Sequence, residues 1–132
     1  MSVAECNQTG ISSELSVMQE YVLAGYTVSV PLPGFARYDF LAEKDGRISR
    51  IQVKTGTPFN RGRELQSCSQ KPYTREDCDV LVVFNPYSSE CYFFPVEHVE
   101  GLNPIRLRLT PYIYEVKSKI ALDGFSYRIL IG

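Results

Sequence analysis

Three side chains in the run Arg37–Lys54 could do chemistry together: Asp39, Gln52 and Lys54. Asp39 sits in Arg37-Tyr38-Asp39, and Gln52 and Lys54 flank Val53. Between them, Lys44-Asp45-Gly46-Arg47 carries turn chemistry. Alternate residues of a strand share a face, so Gln52 and Lys54 are predicted to point the same way, with Asp39 opposite them if the two segments pair as a hairpin. A carboxylate, a carboxamide and an ammonium at one end of a hairpin could grip a metal ion and a phosphate together.

Hydrolysis of a phosphodiester needs a nucleophilic water and neutralisation of the charge that develops on the phosphoryl oxygens. Mg2+ held by one or two carboxylates meets both needs, and a lysine beside it stabilises the transition-state charge. Asp39 is the first candidate ligand, the backbone carbonyl of Val53 another oxygen donor, and Lys54 the electrostatic partner. Gln52 is a neutral ligand or a positioning group. A second carboxylate is available in Glu14, three residues after Ile11 and four before Met18, on the border of a helical apolar stripe. Taken singly, each residue has an ordinary reading: a rim glutamate with an ion-pair partner, an Arg37–Asp39 pair at a strand end, an exposed strand face. Their order and joint spacing favour chemistry.

The elements that must position these residues can be read from periodicity. Residues 1–9 look like a polar arm. Ile11, Leu15, Met18 and Val22 recur at helical spacing, predicting a helix from Gly10 to about Ala24 that ends at Gly25. Tyr26–Val30 is strand-like, and Arg37–Glu43 with Ile48–Lys54 forms the expected hairpin. Thr55–Thr74 reads as a long polar, basic loop with one helical turn near Glu64–Ser67. Asp79–Phe84 is a buried strand, Cys91–Phe94 another, Pro95–Val99 a short helix, and Ile105–Leu109 a half-exposed strand. Gly124–Ile131 closes the chain with a last strand. The expected architecture is α/β, a single domain over residues 1–132 with a mixed sheet flanked by helices.

The chain has 132 residues, enough for one domain with a real core. No apolar run approaches a membrane span, and the first residues lack the basic-then-apolar order of a secretory signal, so an intracellular, cytoplasmic protein is expected. The cysteines, Cys6, Cys68, Cys78 and Cys91, and the lone His98 show no metal-ligand spacing and read as reduced thiols and an isolated imidazole. The net charge is −1, but it is unevenly spread. Residues 47–75 hold seven basic side chains and one acid, whereas the rest holds seven basic and fourteen acidic. That asymmetry predicts one phosphate-facing side.

Glu14 on a first helix, Asp39 after Arg37-Tyr38, and Ile51-Gln52-Val53-Lys54-Thr55 resemble the PD-(D/E)XK nuclease superfamily, and within it the small homing endonucleases associated with group I introns. Tyr73-Thr74, Asp79-Val80, Tyr92-Phe93 and Pro95-Val96 extend the likeness, which covers roughly residues 10–109. The resemblance implies a restriction-endonuclease-like core and Mg2+-dependent cleavage of double-stranded DNA, with Mn2+ as a substitute, by a homo-oligomer. Glu14, Asp39 and Lys54 match the family's acidic and lysine positions. The chain departs from the pattern in lacking a proline just before Asp39 and in carrying Gln52 where the name prescribes an acid.

On that reading the DNA contacts would come from Arg50, Arg61, Arg63, Lys71, Tyr73 and Arg75, with Arg106 and Arg108 as a second contact strand. Two active sites are needed to cut both strands, so a dimer or tetramer is expected. Two alternatives stand beside it: a Holliday-junction resolvase, and a catalytically inactive DNA-binding module of the same fold.

Overall fold

The computed structural model describes residues 3–110 and 121–132, with side chains from residue 8 onward. Helix α1 spans Val3–Leu23 and starts well before the expected Gly10, so most of the segment predicted as a polar arm is helical. Helix propagation adds a hydrogen bond for each residue fixed, so a packed C-terminal half can extend into residues that lack an apolar period. At the other end, Tyr26 N–H donates to Tyr21 O and Gly25 N–H to Val22 O, with Gly25 at φ 93°. That pattern satisfies carbonyls the helix would otherwise leave open, and it needs a left-handed residue.

Five strands make the main sheet: β1 (Thr27–Ser29), β2 (Phe40–Lys44), β3 (Arg47–Thr55), β6 (Val80–Asn85) and β7 (Glu90–Pro95), adjacent in that order. All neighbours are antiparallel except β3 and β6, so the sheet is mixed. Strand β2 is shorter than expected. Asp39 lies just outside it, in a bend, although its N–H still donates to Ile51 O at 2.8 Å.

The expected loop at 55–74 contains two strands instead: β4 (Thr57–Phe59) and β5 (Glu64–Ser67). They pair as a hairpin through Asn60, Arg61 and Gly62, all at positive φ. No helical turn forms at Glu64–Ser67. Strands this short, with Glu64 and Ser67 buried, show no polar–apolar alternation to reveal them. They join β8 (Ile105–Arg108) and β9 (Leu122–Asp123) in a second, four-stranded sheet. The expected final strand is replaced by β9 and a 3-10 helix at Gly124–Tyr127. Helix α2 is Val96–Val99.

The alternation of β3 and β6 divides the core in two. Ile51, Val53, Val80, Val82 and Phe84 pack under α1 against Val17 and Tyr21. Leu81 and Val83 face the other way, into Leu65, Phe94, Val99, Ile105 and Leu107 of the second layer. Every residue of β6 is therefore buried, as expected of a strand covered on both faces. Cys78 and Cys91 are buried free thiols whose pKa desolvation pushes up to about 12, and Cys68 is an exposed one. No helix among the described residues is long and apolar enough to cross a membrane.

The chain changes sheets at Gly56, whose N–H donates to Phe84 O at 2.8 Å. A Cβ there would come within 2.4 Å of Leu65, a fully buried core residue. Gly56→Ala should therefore lower the unfolding free energy by about 1–3 kcal/mol, as overpacking does. Urea denaturation of Gly56→Ala, Leu65→Ala and the double variant would check it. The double variant should be more stable than the sum of the single losses predicts, because removing Leu65 removes the clash; strict additivity would rule out this packing.

Candidate functional site

Strand β3 ends where β2 begins, and Asp39 stands at that junction. One carboxylate oxygen accepts from Val53 N–H at 2.7 Å, so β3 itself fixes the acid. Glu14 reaches the same place from α1, and its carboxyl is hydrogen-bonded to Asp39. Ser13, the residue before it, is buried and lies 2.6 Å from Thr55, Oγ to Oγ1, the residue after Lys54. This hydroxyl pair ties the helix to the end of β3 and sets the rotation that brings Glu14 over Asp39.

Two carboxyls in contact cannot both ionise cheaply. Burial and then the charge of Asp39 raise the Glu14 pKa from 4.5 to about 7. Burial also raises Asp39, opposed by the Val53 N–H, by Glu14 and by the charge of Lys54. Below about pH 7 the pair therefore keeps a proton that isolated carboxyls would have lost, with Lys54 close to Asp39.

Gln52 is buried, only 7% exposed, on the face of β3 opposite Val53. Its Nε2 donates to the Val53 carbonyl oxygen at 3.3 Å, one of the candidate ligand atoms. Lys54 turns instead to the ring of Tyr73, its Nζ 4.9 Å from the centroid. The Arg37 guanidinium lies 4.2 Å from the same centroid. Arg37 pairs with Asp77 at 3.2 Å, so the suspected strand-end pair with Asp39 is not what forms. Arg37, Lys54, Ser69, Gln70, Lys71 and Tyr73 line a cleft of about 420 Å³.

The structure brings Glu14, Asp39, Gln52, Val53 and Lys54 to one end of β3, with Lys71 and Tyr73 beside Lys54. The other basic residues lie elsewhere. Arg50 is saturated: it grips Asp79 and donates to the carbonyls of Arg75 and Glu76, pinning the 75–79 segment to β3. Arg75 is paired with Glu100 at 2.8 Å, in a separate cavity with Asp79 and Glu97. Arg106 donates to Gln66 and covers Phe59, and Arg108 pairs with Asp123. Arg61 and Arg63 are exposed at the β4–β5 turn and make no ion pair among the described residues. The positions that sequence reasoning passed over are Arg37, read only as a neighbour of Asp39, and the Ser13–Thr55 pair. The signal for the latter was available only in pairing across the fold.

Among the described residues no three His, Cys, Asp or Glu side chains cluster as a metal site. The donor set at β3 is two carboxylates and a carbonyl, all hard oxygens, and its two acids keep a proton below about pH 7. That chemistry fits a divalent hard cation completing its shell with water, because the cation would take the place of the proton.

Residues 4–124 match the family described as PD-(D/E)XK endonuclease. Protein 5.3 of Escherichia phage T7 is 36% identical over 103 residues, covering 74% of this chain and 86% of that protein. Among solved structures, the bacterial homing endonuclease I-Ssp6803I superposes with a TM-score of 0.70 at 18% identity, covering 92% of this chain and 87% of the other.

The raised Glu14 pKa makes stability depend on pH. Below pH 4.5 the group is protonated folded or unfolded; between 4.5 and about 7 only the folded state keeps the proton; above 7 the fold must carry two adjacent carboxylates. Stability should thus fall as pH rises through this window. In EDTA, the Tm of Glu14→Gln minus that of wild type should increase by a few degrees from pH 5 to pH 8. A difference that is flat with pH would mean the two carboxyls do not interact.

Proposed function

This chain belongs to the PD-(D/E)XK endonuclease family, and we propose that it is a magnesium-dependent enzyme that cuts double-stranded DNA at a specific sequence, as a homo-oligomer. The observation that supports this reading best is the meeting of the Glu14 and Asp39 carboxyls at the end of β3, with Lys54 electrostatically coupled to Asp39. The likeness to a homing endonuclease adds to it.

Glu14, Asp39 and the Val53 carbonyl would hold the cation. Bound there, Mg2+ or Mn2+ supplies Lewis-acid polarisation of the scissile phosphate and acidifies a bound water. Asp39 is kept in place by the Val53 N–H, and α1 delivers Glu14 opposite it. Gln52 acts as a positioning group: its amide holds the Val53 carbonyl, and being neutral it adds no charge to a site already crowded with acids. Lys54 donates to a nonbridging phosphoryl oxygen as negative charge grows on it. In the reaction a water oxygen bonds to phosphorus as the bond from phosphorus to one sugar oxygen breaks. The water loses a proton and the departing oxygen gains one.

The test uses the purified chain, a randomised linear duplex library and Mg2+, beside Lys54→Ala and Asp39→Asn. Wild type should cut at a recurring sequence, and each variant should lose about 100-fold or more in rate while remaining folded. EDTA should abolish cutting and Mn2+ should restore it. Equal activity in all three proteins, or none in any, would overturn the assignment. Cutting of a four-way junction with no cutting of linear duplex would make the protein a junction resolvase.

A further inference from the structure

Beyond the scissile site, the cleft beside Lys54 has a composition that suits a second phosphate. Its lining holds three cationic side chains, Arg37, Lys54 and Lys71, with Ser69, Gln70 and Tyr73, and no acid. Each cation presents charge to a concave surface, and Ser69 and Gln70 add polar groups. Arg37 is the member held most firmly. Its Nη1 donates to Asp77 Oδ2 at 3.2 Å, and that same oxygen accepts from Thr74 N–H at 2.9 Å. Asp77 is therefore fixed by the turn it closes, and Arg37 is fixed by Asp77.

The ring of Tyr73 supplies the second constraint. Arg37 lies 4.2 Å and Lys54 4.9 Å from its centroid, so the two cations can be no farther apart than the sum of those distances. The ring's electron-rich surface offsets part of the repulsion between them. Without an anion, the two like charges converging on one cleft are offset by the aromatic ring, by Asp77 at Arg37 and by Asp39 near Lys54. A guanidinium with five donors, one of them spent on Asp77, keeps a fork suited to phosphate oxygens.

We propose that Arg37, positioned by Asp77 and Tyr73, forms a subsite for a backbone phosphate neighbouring the one that Lys54 serves. The proposal rests on the nuclease reading for the role of Lys54, but not for the anion subsite itself. Lys54 then acts on the reacting phosphate while Arg37 fixes the strand in register one phosphate away. Tyr73 is a positioning residue that keeps the two cations at a constant separation.

Binding of a fluorescent mixed-sequence duplex in EDTA, across a series of KCl concentrations, tests this without requiring cleavage. Arg37→Ala should flatten the slope of log affinity against log salt by about 0.9, one phosphate's worth of released counterions. It should also weaken binding about tenfold at moderate salt, as loss of a charged hydrogen bond does. Arg37→Gln, which keeps an amide donor for Asp77, should behave like the alanine variant, and Arg37→Lys should keep the slope. Tyr73→Phe should match wild type, whereas Tyr73→Leu should weaken binding with the slope preserved. Arg47→Ala, at the opposite end of β3, is the control and should change neither quantity. A wild-type slope for Arg37→Ala and Arg37→Gln, or an equal drop for Arg47→Ala, would overturn the subsite. If wild type binds with the expected Arg37 dependence yet cuts nothing in Mg2+, the nuclease reading fails and the subsite stands. If wild type cuts and Arg37 does not alter binding, the subsite alone fails.

Discussion

The Val53 amide donates to the Asp39 carboxylate at 2.7 Å, at the point where β2 leaves the ladder and β3 continues beside β6. This bond sets a chain position that must serve both stability and chemistry. The side chain of Val53 lies in the core under α1, while its backbone N–H holds an acid and its carbonyl meets Gln52. Shifting β3 by one residue would send Val53 to the wrong layer and release Asp39 together. The register of β3 is therefore protected by the burial of Ile51 and Val53 under α1, and the site inherits that protection.

Placing a second acid against Asp39 works against folding. The main sheet buries enough apolar surface on its two faces to tolerate a strained pair at its end. The contact between Ser13 and Thr55 helps hold this arrangement, because it ties α1 to the end of β3 beside Asp39. Strain of this kind persists only where the surroundings over-determine it, and it marks places where a ligand relieves it.

The basic residues divide by geometry rather than by composition. Arg50, Arg75, Arg106 and Arg108 fall in basic stretches, yet each is engaged with an acid, a carbonyl or a ring of its own chain. Lys54 and Lys71 line a cleft with Arg37. Arg61 and Arg63 project from a tight turn where positive φ angles turn the chain outward. A charge map along the sequence identified a basic region but could not separate cations that brace the fold from cations that face a ligand, because that depends on which acids the fold brings near.

Much of the site was legible in order and spacing. Period-two alternation put Gln52 and Lys54 on one face of a strand, and turn residues placed a hairpin before them. These are local properties, set by backbone geometry within a few residues. Helical spacing misplaced the buried face of α1: Ile11, Leu15 and Val22 of the expected stripe are exposed, and Ser13, Val17 and Tyr21 are the residues that pack, with Glu14 beside them. The sequence did not reveal the second sheet, because β4 and β5 are too short for a period and bury Glu64 where alternation expects exposure. Nor did it reveal that Arg37 would turn from Asp39 to Asp77, or that Ser13 would meet Thr55. Those pairings join residues forty positions apart, and only packing two layers against one central sheet brings them within reach. By itself the chain determined which residues could act, through local periodicity; the tertiary structure alone decided which of them meet, because contact across a fold is set by packing and not by spacing.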